Sequence, residues 1–150
     1  MTPLQTKLYW VRFLASFGAL PFLACSAAIV FLDNPTMGPF GTAQNVLSSY
    51  SLLIVSFMAG ILWGVYLIRS NEISLNLLLI SNVIAVVAWA GFILLPIRLV
   101  LLCHAVLFLL LLYIDRDAVK AGVLTEAYLK IRYGVSGVVV ASLIVAALSF

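Results

Sequence analysis

The stretch at residues 77–95, LLLISNVIAVVAWAGFILL, decides the fold, because it has no charged residue and does not alternate between apolar and polar positions. A strand of a membrane barrel would alternate over about ten residues. A helix satisfies its own backbone hydrogen bonds in lipid, and about 20 apolar residues cross roughly 30 Å of hydrocarbon. The stretch therefore predicts a transmembrane helix.

The same criterion predicts five helices in all, within a single transmembrane domain covering residues 1–150. Residues 33–44, DNPTMGPFGTAQ, contain two Pro and two Gly and cannot continue a helix. Pro96 separates the third helix from the fourth, and the charged stretch DRDAVKAGVLTE at residues 115–126 is predicted to be a loop. The expected helices lie at about 8–32, 45–68, 74–95, 97–114 and 127–150.

The composition excludes most other classes of protein. Hydrophobic residues make up 65% of the chain and charged residues 9%, whereas soluble domains have about 25% charged residues. Disorder requires low hydrophobicity and high charge, and the scattered basic residues form no patch for nucleic acid. We therefore expect an all-α membrane protein whose partners are the lipid bilayer and other membrane protein subunits, with no nucleic acid.

The basic residues predict an orientation. If the N-terminus lies inside, Arg98 is the one basic residue on the outer side, and the inner side collects the other seven. This places the C-terminus outside. The apolar run continues past Cys25, which favours a retained helix over a signal peptide. Because no Arg-rich amphipathic segment precedes that helix, we expect the plasma (inner) membrane of a bacterium rather than the mitochondrial inner membrane. The inner basic residues are Lys7, Arg12, Arg69, Arg116, Lys120, Lys130 and Arg132.

Four residues are candidates for a polar or aromatic binding site inside the bundle. His104 is the single histidine and lies within the fourth helix. An ionisable group at that depth could relay protons or bind a cofactor, but a neutral imidazole with a structural hydrogen bond is the expected alternative. Helix-hairpin spacing predicts Trp89 near the level of His104. It also predicts Asn82 level with the region of Gly60 and Trp63.

Small residues mark candidate helix contacts. Gly60 and Gly64 form a GxxxG pattern, and Gly137 with Ala141 repeats the small-residue spacing in the fifth helix. Small residues let two helix backbones approach closely in lipid. Packing is the expected role, and a substrate groove is the alternative.

Basic and aromatic residues mark a candidate interface with lipid or a partner. Tyr128, Lys130 and Arg132 lie at the start of the fifth helix, where such residues are typical of the headgroup boundary. Arg98 lies at the outer end of the fourth helix and is expected to reach the headgroups.

The chain contains no nucleophile motif, no phosphate-binding glycine loop and no His, Cys, Asp and Glu cluster suited to a metal. We therefore expect a protein that is not an enzyme, with no catalytic residues, no metal and no cofactor. Cys25 and Cys103 fall at similar predicted depths, but spacing cannot establish a disulfide.

The motifs carry a family resemblance. Residues 56–64, SFMAGILWG, resemble the S-F-L-G-G-I-x-W-G signature of the transmembrane protein 69-like family, which is domain-of-unknown-function family 3429. Trp89 before Pro96, Asp115-Arg116 closing the fourth helix and YLKIR at residues 128–132 opening the fifth follow the same order. Ala59 and Leu62 depart from the signature, and the loss of a polar group at position 62 weakens any chemical role there. The resemblance implies a small five-helix membrane protein without an established activity.

Three functions follow from these features. The leading hypothesis is an accessory or assembly subunit of a larger membrane complex, respiratory or photosynthetic. The second is a small homo-oligomeric transporter or channel lined by Asn82, Trp89 and His104, although five helices give no even internal repeat. The third is a quinone- or lipid-binding module built around Trp63, Trp89 and His104.

Overall fold

The fold consists of five long helices, seen in a computed structural model that describes residues 3–33, 35–69 and 76–149. A short 3₁₀ turn, Gly38–Phe40, and an isolated bridge between Thr36 and Thr42 lie in the first connection. The helices are α1 Pro3–Phe31, α2 Ala43–Arg69, α3 Leu77–Leu94, α4 Ile97–Lys120 and α5 Glu126–Leu148.

All five helices are long and apolar enough to cross a membrane. Within the described residues no strand accompanies them. The predicted all-α bundle of five transmembrane helices is therefore confirmed. The protein is a multi-pass helical membrane protein, and the orientation of its termini stays a prediction.

The fourth helix is longer than expected, and the loop predicted at residues 115–126 is reduced to residues 121–125. α4 continues to Lys120, so only a short turn separates it from α5. Gly122 adopts a φ of +75°, which an L side chain rarely tolerates. The N–H groups of Gly122 and Val123 donate to the carbonyls of Val119 and Ala118, as in a Schellman helix end. The helix thus ends at its glycine cap rather than at Asp115, where the charged stretch begins.

Local sequence also determines where α3, α4 and α5 begin. The Asn76 side chain accepts a hydrogen bond from the N–H of Leu79, and Thr125 Oγ1 accepts one from the N–H of Tyr128. Such N-caps satisfy amide groups that have no partner within the helix. Leu95 is extended because it precedes Pro96, and this breaks the chain between α3 and α4.

The helices follow one another around the bundle, and α5 returns to contact α1, while α2 and α4 touch across the centre. α4 and α5 are the most enclosed helices. In each of them 44% of the apolar membrane-spanning stretch is buried inside the protein, against 22–28% in α1 to α3. On α4 the buried side chains recur every three or four residues and face α2, α3 and α5. This stripe contains Leu101, His104, Phe108, Leu111, Asp115 and Ala118.

Orientation can be tested with two single-cysteine variants, Asp33→Cys and Glu126→Cys, in a background where Cys25 and Cys103 are serine. Asp33 and Glu126 are both exposed and lie at opposite ends of the bundle. We expect a membrane-impermeant maleimide to label Asp33→Cys in intact cells and Glu126→Cys only after permeabilisation. The reverse pattern would invert the predicted topology.

Candidate functional site

His104 is a fully buried hydrogen-bonding centre between three helices. Its Nδ1 lies 2.6 Å from Ser51 Oγ on α2, and its Nε2 lies 3.2 Å from the Ala88 carbonyl oxygen on α3. Ser51 Oγ also lies 2.9 Å from the carbonyl oxygen of Ser48. The imidazole therefore connects α4 to both α2 and α3.

The partners of His104 restrict its protonation. The Ala88 carbonyl can only accept, so Nε2 must carry a proton. In a neutral ring, Nδ1 then accepts a hydrogen bond from the Ser51 hydroxyl. In a charged ring, Nδ1 would donate to Ser51 Oγ, and the hydroxyl would donate to the Ser48 carbonyl. The imidazole can therefore make both of its own hydrogen bonds in either form, although a charge buried in hydrocarbon is costly and favours the neutral ring.

Two further polar contacts connect α2 to its neighbours. Ser81 Oγ on α3 donates to the Ala59 carbonyl at 2.7 Å, and the Tyr50 hydroxyl donates to the Gly18 carbonyl on α1 at 3.1 Å. Phe22 packs edge-on against the Tyr50 ring, with centroids 5.1 Å apart. With His104, these contacts make α2 the helix to which α1, α3 and α4 are hydrogen-bonded.

The other three predicted site residues do not join His104. Trp63 and Trp89 are 45% and 58% exposed. Asn82 is also exposed, and its Nδ2 donates to the Leu78 carbonyl of its own helix. Trp63, Asn82 and Trp89 therefore lie on the surface of the bundle, apart from the buried imidazole, and their binding role stays a prediction. Hairpin spacing predicted depth along the helices but not which face each residue occupies.

The glycines of the predicted packing motifs face outward. A Cβ atom added at Gly60, Gly64 or Gly137 would meet nothing within 4 Å among the described residues. Ala141 is exposed as well. The helices of this chain do not use these positions to approach one another, so their packing role stays a prediction for contacts with other chains. The fully buried alanines of the helices are Ala43, Ala59, Ala88, Ala146 and Ala147.

Arg132 is buried inside the bundle, and its predicted role as a lipid- or partner-facing residue is wrong. Its Nε lies 2.7 Å from Asp115 Oδ2, and the two side chains are only 9% and 8% exposed. Its Nη1 lies 3.6 Å from Met58 Sδ on α2. The sequence reasoning missed this pair because it assigned Asp115 to a loop. The available signals were the carboxylate of Asp115 on α4 and the position of Arg132 next to the apolar Ile131 on α5.

A cavity of about 320 Å³ adjoins this ion pair. Its walls come from α1, α2, α4 and α5 and are mostly apolar, and Arg132 and Ser136 are among its polar lining residues. Arg132 Nη2 and Ser136 Oγ are buried without a hydrogen-bond partner in the described structure. Sequence reasoning did not single out Ser136 as a polar group.

Three of the predicted interface residues have accessible side chains. Arg98 and Lys130 are exposed, and Tyr128 is half-buried. Lys130 and the exposed Arg12 line a groove of about 790 Å³ between α1 and α5. A basic groove with apolar walls suits the headgroup and acyl chain of an anionic lipid, so the lipid or partner role of Lys130 remains a prediction.

Comparison with known proteins confirms the family resemblance. The family model described as Protein of unknown function (DUF3429) matches residues 9–148. The chain belongs to this family. Neither a curated protein nor a solved structure matches it.

Removing the imidazole should destabilise the bundle. We expect His104→Ala to lower the free energy of unfolding by about 2–4 kcal/mol, because it leaves a cavity and breaks contacts worth about 0.6 kcal/mol each. The midpoint can be followed in detergent with a thiol-reactive dye, since Cys25 is buried, Cys103 is half-buried and both are free. Trp89→Ala, at an exposed position, should change the midpoint much less. Equal effects would contradict the central role of His104.

Proposed function

We propose that this chain is a non-enzymatic accessory or assembly subunit that binds a transmembrane helix of another membrane protein against the Gly60–Gly64 face of α2. The observation that carries the proposal is the outward position of these glycines, where an added Cβ meets nothing within 4 Å. A glycine face exposed to lipid is the surface on which a second helix backbone approaches most closely.

The free energy of the isolated helix favours alanine at these positions. A glycine inside a helix costs about 1 kcal/mol relative to alanine in water. No contact among the described residues of this chain compensates for Gly60 or Gly64. A bound helix would supply the missing van der Waals contacts, since apolar burial gives little attraction between helices in hydrocarbon. Trp63 is 45% exposed beside the two glycines and offers a large side chain to the same partner.

A different protein is a better partner than a second copy. Small outward residues lie on two different helices, Gly60 and Gly64 on α2 and Gly137 and Ala141 on α5. Two unlike faces that bound each other between copies would form rings or open filaments. Two unlike faces that bind two different subunits do not propagate between copies in this way, which supports an accessory or assembly role. A respiratory or photosynthetic complex is the kind of assembly we propose.

The transporter hypothesis has less support. Its proposed path needs Asn82, Trp89 and His104 to line one cavity. Asn82 and Trp89 are exposed on α3, whereas His104 is fully buried. A path between copies would have to avoid His104, which is the residue that made the hypothesis attractive.

The experiment compares a paired glycine variant with the natural chain. Gly60→Leu/Gly64→Leu should fold, because the added side chains meet open space. We expect the natural 16.3 kDa chain, extracted from its own membranes in mild detergent, to migrate in a larger particle with one defined protein in fixed stoichiometry. The glycine variant should lose that protein, and a reciprocal purification through the partner should no longer recover the chain.

The matched control is Ala24→Leu/Ala27→Leu, which adds bulk at exposed small positions of α1. It should retain the partner. A natural chain that migrates alone or only with copies of itself would overturn the proposal. Retention of the partner by the glycine variant, or its loss from both variants, would also overturn it.

A further inference from the structure

We propose that the cavity beside Arg132 binds a neutral amphiphile, whose carbonyl oxygen accepts hydrogen bonds from Arg132 and Ser136 and whose apolar body fills the remaining space. This inference goes beyond the subunit role and does not depend on it. It rests on a cavity between the helices of this chain and on two buried hydrogen-bond donors that have no partner in the described structure.

The two donors lie together on α5. Positions 132 and 136 are four residues apart, so both side chains project from the same face of the helix. The Arg132 side chain is 9% exposed and Ser136 is 1% exposed. Arg132 uses Nε on Asp115 and Nη1 on Met58, which leaves the hydrogens of Nη2 for another acceptor. Buried donors of this kind are usually satisfied by a partner.

The ion pair determines the charge of the ligand. Asp115 already neutralises Arg132 at 2.7 Å, so an anionic ligand would leave one net negative charge in a buried site. Guanidinium nitrogen atoms only donate, and a serine hydroxyl can donate as well. A carbonyl oxygen is neutral and has two lone pairs, so it can accept from both groups at once.

The rest of the cavity has mostly apolar walls, so the remainder of the ligand is expected to be apolar. A water molecule occupies about 30 Å³ and could satisfy the donors, but the cavity measures about 320 Å³. Phe22 and Phe108 line it and are almost completely buried, at 0% and 2% exposure. A flat or flexible apolar group suits these walls better than a cluster of water molecules.

The cavity also has an entrance from the bilayer. Val11 and Leu14 on α1 and Phe57 and Ile61 on α2 line it and are exposed. In a membrane-spanning bundle these side chains face hydrocarbon, so an amphiphile can enter sideways between α1 and α2. Two components of a membrane present a carbonyl oxygen on an apolar body, namely an isoprenoid quinone and an ester-linked lipid.

Binding can be measured on the purified full chain in maltoside detergent, which contains no ester. The probes are decylubiquinone, a diacyl phosphatidylcholine and the matching dialkyl ether phosphatidylcholine, each titrated and counted by native mass spectrometry. Saturable binding of one decylubiquinone per chain indicates that the natural ligand is a quinone. Tighter binding of the ester lipid than of the ether lipid indicates that the natural ligand is an ester-linked lipid. Absence of both results would overturn the proposal.

Variants show whether the bound probe occupies this cavity. Ser136→Ala removes one donor and should weaken binding about fivefold, the factor that corresponds to one ordinary hydrogen bond. Gly18→Leu should abolish saturable binding, because Gly18 lines the cavity and an added Cβ meets open space there. Ala24→Leu adds a similar side chain at an exposed position of the same helix that does not line the cavity, and this variant should bind as the natural chain does.

The outcome stays decisive if one variant fails to fold. Ser136→Ala is the smallest change and tests the donor without filling space, so unchanged affinity in this variant would contradict the assignment of the polar end. Unchanged binding by a folded Gly18→Leu variant would place the probe elsewhere on the chain and overturn the proposal.

Discussion

The structure depends on buried polar contacts, because hydrocarbon outside the bundle solvates apolar side chains about as well as the interior does. Helices in lipid associate through close packing and hydrogen bonds rather than through apolar burial. His104 meets this constraint with contacts to Ser51 and Ala88, and the Tyr50 and Ser81 hydroxyls connect α2 to α1 and α3. Four polar side chains of a very apolar chain thus lie where helices meet.

The Asp115–Arg132 pair is a further buried polar contact between helices, at the other end of α4. Two charges can remain buried when each neutralises the other, whereas removal of one partner from a buried pair typically costs about 3–5 kcal/mol. The pair joins α4 to α5, and the Met58 contact extends it to α2. Arg132 retains one unpartnered nitrogen beside an apolar cavity. One side chain therefore contributes both to the assembly of the bundle and to its strongest candidate ligand site.

Sequence reasoning predicts the helices well because hydropathy reports directly on what solvates each segment. The family motif adds the same architecture. Sequence reasoning predicts the site poorly, since an apolar helix surrounded by lipid shows little contrast between its inner and outer faces. Asn82 and Trp89 therefore lie outside although they look like interior groups, and Arg132 lies inside although its neighbours suggest a headgroup anchor. Only His104 had the depth and singularity to be identified as a buried centre.

The central claim is that hydrocarbon surrounds the exposed apolar faces of α2 and α3. It is tested most directly by tryptophan fluorescence in bilayers, using variants that keep only Trp63 or only Trp89, which are 45% and 58% exposed. We predict strong quenching by lipids with bromine on their acyl chains and little quenching by acrylamide in the water. Efficient quenching by acrylamide, with none by brominated lipid, would contradict the account.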